Sequence, residues 1–235
     1  MMQTAFPADA VAYHACLATG WDRRYYKRSF QMREAVVLKC LRGRDLTGSN
    51  WLDAGCGAGT LARCLAERGC KVLGVDAAPE MVSVAEELAQ SYDYSDRLKF
   101  MRVGTIARLL IDDGSLDGVL CSSVLEYVPD PSACLREFSR VLKLEGLLLV
   151  SVPNRDSLVR RIQMACHRVG SLVGCNWPKF LDYSHHQYSV CEFERLLAHA
   201  GFRVDESLPL GSPLPALAQR SRTWASLLMF VAHKI

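Results

Sequence analysis

Three groups of residues in this chain have types and spacings suited to chemistry. The first is the run Trp51-Leu52-Asp53-Ala54-Gly55-Cys56-Gly57-Ala58-Gly59-Thr60, followed about seventeen residues after its last glycine by Asp76, which closes the apolar stretch Lys71-Val72-Leu73-Gly74-Val75. Glycines at alternate positions let the main chain take positive φ and approach a ligand where any Cβ would collide. A carboxylate at the end of the next strand can accept both hydroxyl protons of a ribose. The second group is Asp182-Tyr183-Ser184-His185-His186-Gln187-Tyr188, whose adjacent histidines are bases suited to neutral pH. The third is the corner Glu126-Tyr127, which competes with His185 and His186 for the role of base.

The elements that must position these groups follow from apolar patterning. Residues 51 to 76 read as a buried strand, a glycine turn, a helix and a second buried strand, a nucleotide-binding βαβ unit. A dinucleotide loop needs its third glycine at relative position six. Here that position is Thr60, and the third glycine comes one residue early. Leu116 to Val124 reads as another buried strand, ending in a loop where open α/β sheets bind their ligands. A helix over Pro131 to Leu142 puts Leu135, Phe138, Val141 and Leu142 on one face, and Lys143-Leu144-Glu145-Gly146 turns the chain into the strand Leu147 to Val152. Ser189 to Ala200 reads as a closing helix with Gly201 as its C-cap, ahead of strands at Phe202 to Leu208 and Ser226 to Ala232.

The whole predicts one α/β domain over residues 1–235 built on a doubly wound, mostly parallel sheet with an antiparallel last strand. Residues 1–48 form a helical extension, with helices expected at Asp9 to Thr19 and Phe30 to Leu41. Between those helices Arg23, Arg24, Lys27 and Arg28 stand among Trp21, Tyr25 and Tyr26, with Arg33 following. Residues 49–152 carry the cofactor half, 153–188 a substrate-side insertion, and 189–235 the closing helix and edge hairpin.

Taken in order, these motifs resemble the class I S-adenosylmethionine-dependent methyltransferases, in particular the small-molecule O-methyltransferases of quinone biosynthesis. The resemblance implies a Rossmann-like fold on a seven-stranded, mostly parallel sheet with an antiparallel last strand, S-adenosylmethionine as cofactor and a small-molecule acceptor. It assigns Asp53, Gly55, Gly57 and Gly59 to the methionine part of the cofactor, Asp76 to the ribose, and Ala77 and Met81 to the adenine, an ordinary core role being the alternative for Met81. Thr105, Ile106 and Ser122 complete the expected cofactor set. Where many relatives have Gly-Asp, this chain has Gly104-Thr105, so the contact to the adenine amino group loses its charge. Arg33, on a helix before the glycine loop, is the expected partner of the cofactor carboxylate, with a solvated helix face as the alternative. Relatives usually show Leu-Glu-His where this chain has Leu125-Glu126-Tyr127, and a lone Glu126 offers no ligand set, so no metal is expected. Glu145 stands where the family commonly has proline. His185 and His186 are read either as bases or as residues that orient their loop.

A net charge of +3 gives no argument for a nucleic-acid partner, and ten cysteines without a CxxC pair, signal peptide or long apolar run point to a reducing cytoplasm. Cys56 reads as a small residue that fits its turn. In the insertion, residues 155–173 form a basic amphipathic segment with Leu158, Ile162, Ala165 and Val169 on one face and Arg160, Arg161, His167 and Arg168 elsewhere. Three readings stand for it: a helix capping the sheet, a lid over an apolar acceptor, and a peripheral contact with the inner face of a membrane. Trp177, Pro178 and Phe180 extend its apolar character. The acceptor expected is a small, rather apolar metabolite, with oxygen ahead of nitrogen and carbon as its methylated atom. A non-catalytic cofactor-binding member of the fold and a dinucleotide oxidoreductase are the alternative classes.

Overall fold

The computed structural model describes residues 9–18, 20–21, 28–172, 178–211 and 221–235. Its elements are α1 (Ala10–Ala18), α2 (Arg28–Cys40), β1 (Asn50–Ala54), α3 (Thr60–Ala66), β2 (Lys71–Asp76), α4 (Pro79–Ala89), β3 (Leu98–Arg102), β4 (Leu116–Ser122), α5 (Pro131–Val141), β5 (Leu142–Pro153), α6 (Leu158–Leu172), α7 (Val190–His199), β6 (Phe202–Leu210) and β7 (Leu227–Lys234), with short 3-10 turns at Ser95–Arg97 and Lys179–Asp182. Of the basic-aromatic cluster, Arg23, Arg24, Tyr25, Tyr26 and Lys27 lie outside the described residues, as does Trp177.

The seven strands form one sheet in the order β3-β2-β1-β4-β5-β7-β6. All neighbours are parallel except those of β7, which runs antiparallel to both β5 and β6. The near-continuous apolar character of the central strands suits a parallel sheet covered on both faces. Successive side chains of a strand go to opposite layers. Leu52, Val75, Val119, Leu148 and Phe230 thus pack on one side with Phe138 of α5 and Phe193 of α7. Trp51, Val72, Leu120, Leu149 and Met229 pack on the other with Val37 of α2 and Leu65 of α3.

The register places the site. Leu52 of β1 pairs with Leu73 of β2 on one side and with Val119 of β4 on the other. The strand order therefore reverses at β1, and the crevice at such a reversal, outside the carboxyl ends of the strands, is where open α/β sheets hold ligands. The glycine loop leaves β1 and Ser123 leaves β4 into that crevice. Both flanking helices start on local signals. Asp130 caps α5 by accepting the Ala133 N–H at 3.0 Å, with Pro131 in the first turn, and Ser189 and Glu192 form a reciprocal capping box on α7.

Two details depart from the sequence expectation. The turn at 143–146 interrupts a longer strand: Leu116 pairs with Leu142 and Gly118 with Leu147, so the intervening residues bow out of the ladder, with Glu145 at φ 58. More consequential is the orientation of α6. Its apolar residues Leu158, Ile162 and Val169 are 37%, 57% and 64% exposed, whereas Arg160 is only 3% exposed. The helix thus turns its apolar stripe outward and a cationic side chain inward, the reverse of the capping arrangement that burial of apolar area favours.

Candidate cofactor and acceptor site

The switch-point crevice opens into a cavity of about 480 Å³. Gly55 and Gly57 from the loop, Asp76 and Ala77 from the end of β2, Met81 from α4, Gly104, Thr105 and Ile106 from the loop after β3, and Ser122 from β4 all line it, as does Arg33 from α2. Of the expected cofactor residues, Asp53 and Gly59 are outside this lining, and each acts from behind it. Gly59 has φ 72 and starts α3, and a Cβ there would fall 2.7 Å from the Phe100 ring. At Gly55, φ is 76 and a Cβ would collide with Val124. Both positions require glycine on conformation and on space.

Asp53 sits beneath the loop, 2% exposed, with Oδ2 lacking a hydrogen-bond partner. Burial and the neighbouring Asp76 charge push its carboxyl up to about 7. Asp76 binds the loop itself: Oδ2 accepts the Gly57 N–H and Oδ1 the Ala78 N–H, both at 2.9 Å. The carboxylate is thereby fixed at the cavity edge, with lone pairs left for a ligand. Met81 is 1% exposed and packs with Ala18, Ala78 and Trp21, so it is a core side chain that also lines the cavity. Thr105 Oγ1 accepts the Ala107 N–H at 3.1 Å, and Ser122 Oγ lies 3.1 Å from Ser151 Oγ. The Cys56 thiol is pushed well up by burial, which leaves it protonated and unreactive.

His185 and His186 are not brought into the cavity. The His186 Nε2 is 3.0 Å from the Val128 carbonyl and its ring stacks on Tyr188, while the main-chain N–H of His185 donates to the Glu126 carbonyl at 2.8 Å. A ring N–H committed to a carbonyl holds its loop against the turn after β4. For His186 this arrangement fits the orienting reading, and neither histidine lines the cavity.

The groups that do face the cavity beyond the cofactor residues come from three places. The turn after β4 supplies Ser123, Glu126 and Tyr127; α6 supplies Arg160 and Gln163; and Phe180 comes from the turn before the histidines. Glu126 is 2% exposed and burial pushes it up to about 7, against the pull of Arg33 and Arg160. Ser123 stands at φ 59 without being glycine, a local strain of the kind that concentrates at working sites.

Sequence reasoning missed a further wall. Helix α1 contributes Tyr13, His14 and Leu17, and Trp21 follows it. The His14 Nδ1–H donates to the Ala10 carbonyl at 2.7 Å, its ring meets Tyr127 edge-on at 5.0 Å, and burial lowers its pKa. The spacing of Tyr13, Leu17 and Trp21, every four residues, was a legible sign that this helix turns one face inward.

A glycine loop and a ribose-competent carboxylate lining one cavity at the switch point of a sheet of this order define a nucleotide-binding α/β protein. Residues 52–150 match the family described as "Methyltransferase domain". A ubiquinone biosynthesis O-methyltransferase of Xylella fastidiosa is 32% identical over 197 residues, covering 79% of this chain and 74% of that protein. The protein of the same name in Xanthomonas oryzae is 37% identical over 141 residues, and this chain spans 56% of its length. Among solved structures, magnesium protoporphyrin IX methyltransferase from Synechocystis with bound SAH superposes with a TM-score of 0.71 at 20% identity, covering 95% of this chain and 96% of that one. The chain belongs to the class I S-adenosylmethionine-dependent methyltransferases, whose methyl donor is S-adenosylmethionine.

Proposed function

We propose that this protein methylates a hydroxyl oxygen of a small, rather apolar metabolite. S-adenosylmethionine, when bound, supplies an already activated methyl group, so the protein's task is to hold the acceptor in line and keep water out. In this reading Asp76 holds the ribose, Ala77 and Met81 wall the adenine, Gly55 and Gly57 let the main chain approach the methionine part with Asp53 and Gly59 shaping the turn from behind, Arg33 meets the carboxylate, and Thr105, Ile106 and Ser122 complete the pocket. The observation that carries it is that one cavity is lined both by the glycine loop and Asp76 and by Glu126, Tyr127, Arg160 and Phe180. The names of the relatives in Xylella and Xanthomonas support oxygen as the methylated atom and a quinone precursor as the kind of acceptor.

Titration calorimetry with S-adenosylmethionine, its demethylated product and NAD tests the cofactor. Binding of the first two is expected, and tight NAD binding without a response to the sulfonium compound would overturn the reading. Methyl-labelled donor offered with phenols and amines of matched size tests the atom. Transfer to amines alone would replace oxygen by nitrogen.

The outward apolar stripe of α6, flanked by exposed Arg161 and Arg168, favours a peripheral contact of residues 155–173 with an anionic membrane surface. Among the described residues no helix is long and apolar enough to cross a membrane. Flotation with phosphatidylglycerol vesicles should recover the protein and fail for Ile162→Glu/Val169→Glu. Equal recovery of both would remove the contact.

A further inference from the structure

Four polar side-chain atoms on the wall of the cavity, Glu126 Oε2, Arg160 Nε, Gln163 Oε1 and Ser123 Oγ, are buried without a hydrogen-bond partner. Leaving such atoms unpaired is costly, and a cluster of them around one space marks where a polar ligand group goes. The two charged members are the most buried, Glu126 at 2% and Arg160 at 3% exposed. They come from two separate elements, the turn after β4 and helix α6, and the inverted set of α6 is what carries the guanidinium in. Its Cζ lies 5.4 Å from the centre of the Phe180 ring, which fixes the guanidinium against an aromatic face. The two groups feel each other's charge, yet no hydrogen bond joins them. A ligand group that fits between must donate to one and accept from the other. A hydroxyl does both with a single oxygen.

We propose that Glu126 and Arg160 act together on the acceptor, Glu126 Oε2 taking the hydroxyl proton and the Arg160 guanidinium holding the oxygen anion that results. This rests on the reading of the protein as an O-methyltransferase and adds the residues that activate its acceptor. The proton passes to the carboxylate and the O–H electron pair stays on oxygen. An oxygen lone pair then forms the bond to the methyl carbon, the C–S pair returns to sulfur, and Glu126 releases its proton to solvent. A fixed cation placed where negative charge develops is the usual source of such stabilisation, and Arg160 needs no metal to provide it. A carboxyl raised toward neutrality is also matched to proton transfer at the pH of the cell.

Besides Arg160, the ionisable groups around Glu126 are Arg33 from α2, Cys121 from β4, adjacent Tyr127, and Tyr188 and His185 from the loop before α7. Burial pushes Cys121 and both tyrosines up, so they stay neutral between pH 6 and pH 8. His185 touches Glu126 through its main chain, and His185→Gln controls for its ring.

The test is binding of 4-nitrophenolate, followed by its visible absorption, to the protein saturated with S-adenosylhomocysteine, whose own binding is measured by calorimetry in each variant. For wild type and His185→Gln, affinity per phenolate should fall as pH rises through about 7, because two anions then share the site. In Glu126→Gln the dependence should vanish. Arg160→Met should weaken binding roughly tenfold or more across the range, while Arg160→Lys restores part of it. The proposal is overturned by no dye binding to nucleoside-saturated wild type, by the same pH dependence in Glu126→Gln, or by full affinity in Arg160→Met. Failure to bind S-adenosylhomocysteine at all would instead overturn the methyltransferase reading on which it rests.

Discussion

Asp53→Asn isolates the energetic consequence of placing a carboxyl beneath the ligand loop. Asp53 is fully buried, and burial together with the Asp76 charge raises it from 3.8 to about 7. The unfolded chain ionises it near its ordinary value, so the native state binds the proton more tightly. Stability is therefore greatest at acid pH, falls as pH rises from the unfolded value through the folded one, and is level above. A gap of about 3 pH units, each worth a little over 1 kcal/mol, is a cost of ~4 kcal/mol when complete, of which roughly 2–3 kcal/mol develops between pH 5 and pH 8. Asparagine keeps the shape and has no charge to lose. Urea unfolding of the cofactor-free protein at pH 5 and pH 8 should show the difference between variant and wild type moving by roughly 2–3 kcal/mol in the variant's favour. Glu126 titrates in the same window in both proteins and cancels from that difference. Parallel curves would refute the reasoning, since they require Asp53 to ionise alike in native and unfolded chains.

Gly55→Ala forces a Cβ onto Val124 at positive φ and should lower stability by about 2–4 kcal/mol, read as a fall in midpoint by circular dichroism. Asp76→Ala removes acceptors for two loop N–H groups as well as the ribose contact, and calorimetry should show cofactor affinity reduced by roughly a hundredfold. For Arg33→Ala the expected loss of cofactor affinity is about tenfold to a hundredfold, and an unchanged value removes that residue from the carboxylate site. Methyl transfer is expected to persist in excess chelator, because Tyr127 stands beside Glu126 where relatives usually have a histidine that could ligate; loss of activity that a divalent ion restores would contradict this.

The sheet was legible because its signals are local. The alternate glycines, the apolar strands and the capped helices each determine their own segment, and the strand order follows from right-handed crossovers between them. The acceptor end was less so, because its residues meet only through tertiary packing. Glu126 in isolation offers no site, and Arg160 belongs by its charge on the outside of an amphipathic helix. Only the orientation of α6 joins them, and helical periodicity gives the relative faces without saying which one turns inward. The histidine pair shows the converse: two residues of the right type in the right loop, which the structure places outside the cavity lining, with the His186 ring and the His185 main chain bonded to the turn after β4.

Helix α1 meets the rest of the fold through an apolar seam, Ala18 with Ala15 and Leu17 against Ala78 and Met81, and through two aromatic contacts, Tyr13 stacked on Tyr183 and His14 edge-on to Tyr127. Because it forms one side of the cavity, a spent nucleoside held there has a residence time tied to how often that seam parts. These contacts involve side chains of one nine-residue helix and no strand pairing, so they can part without disturbing the sheet. Turnover and product inhibition in this protein are then adjustable by substitutions at Ala18 or Ala15 that leave every ligand contact intact, and evolution can tune throughput there without touching the chemistry.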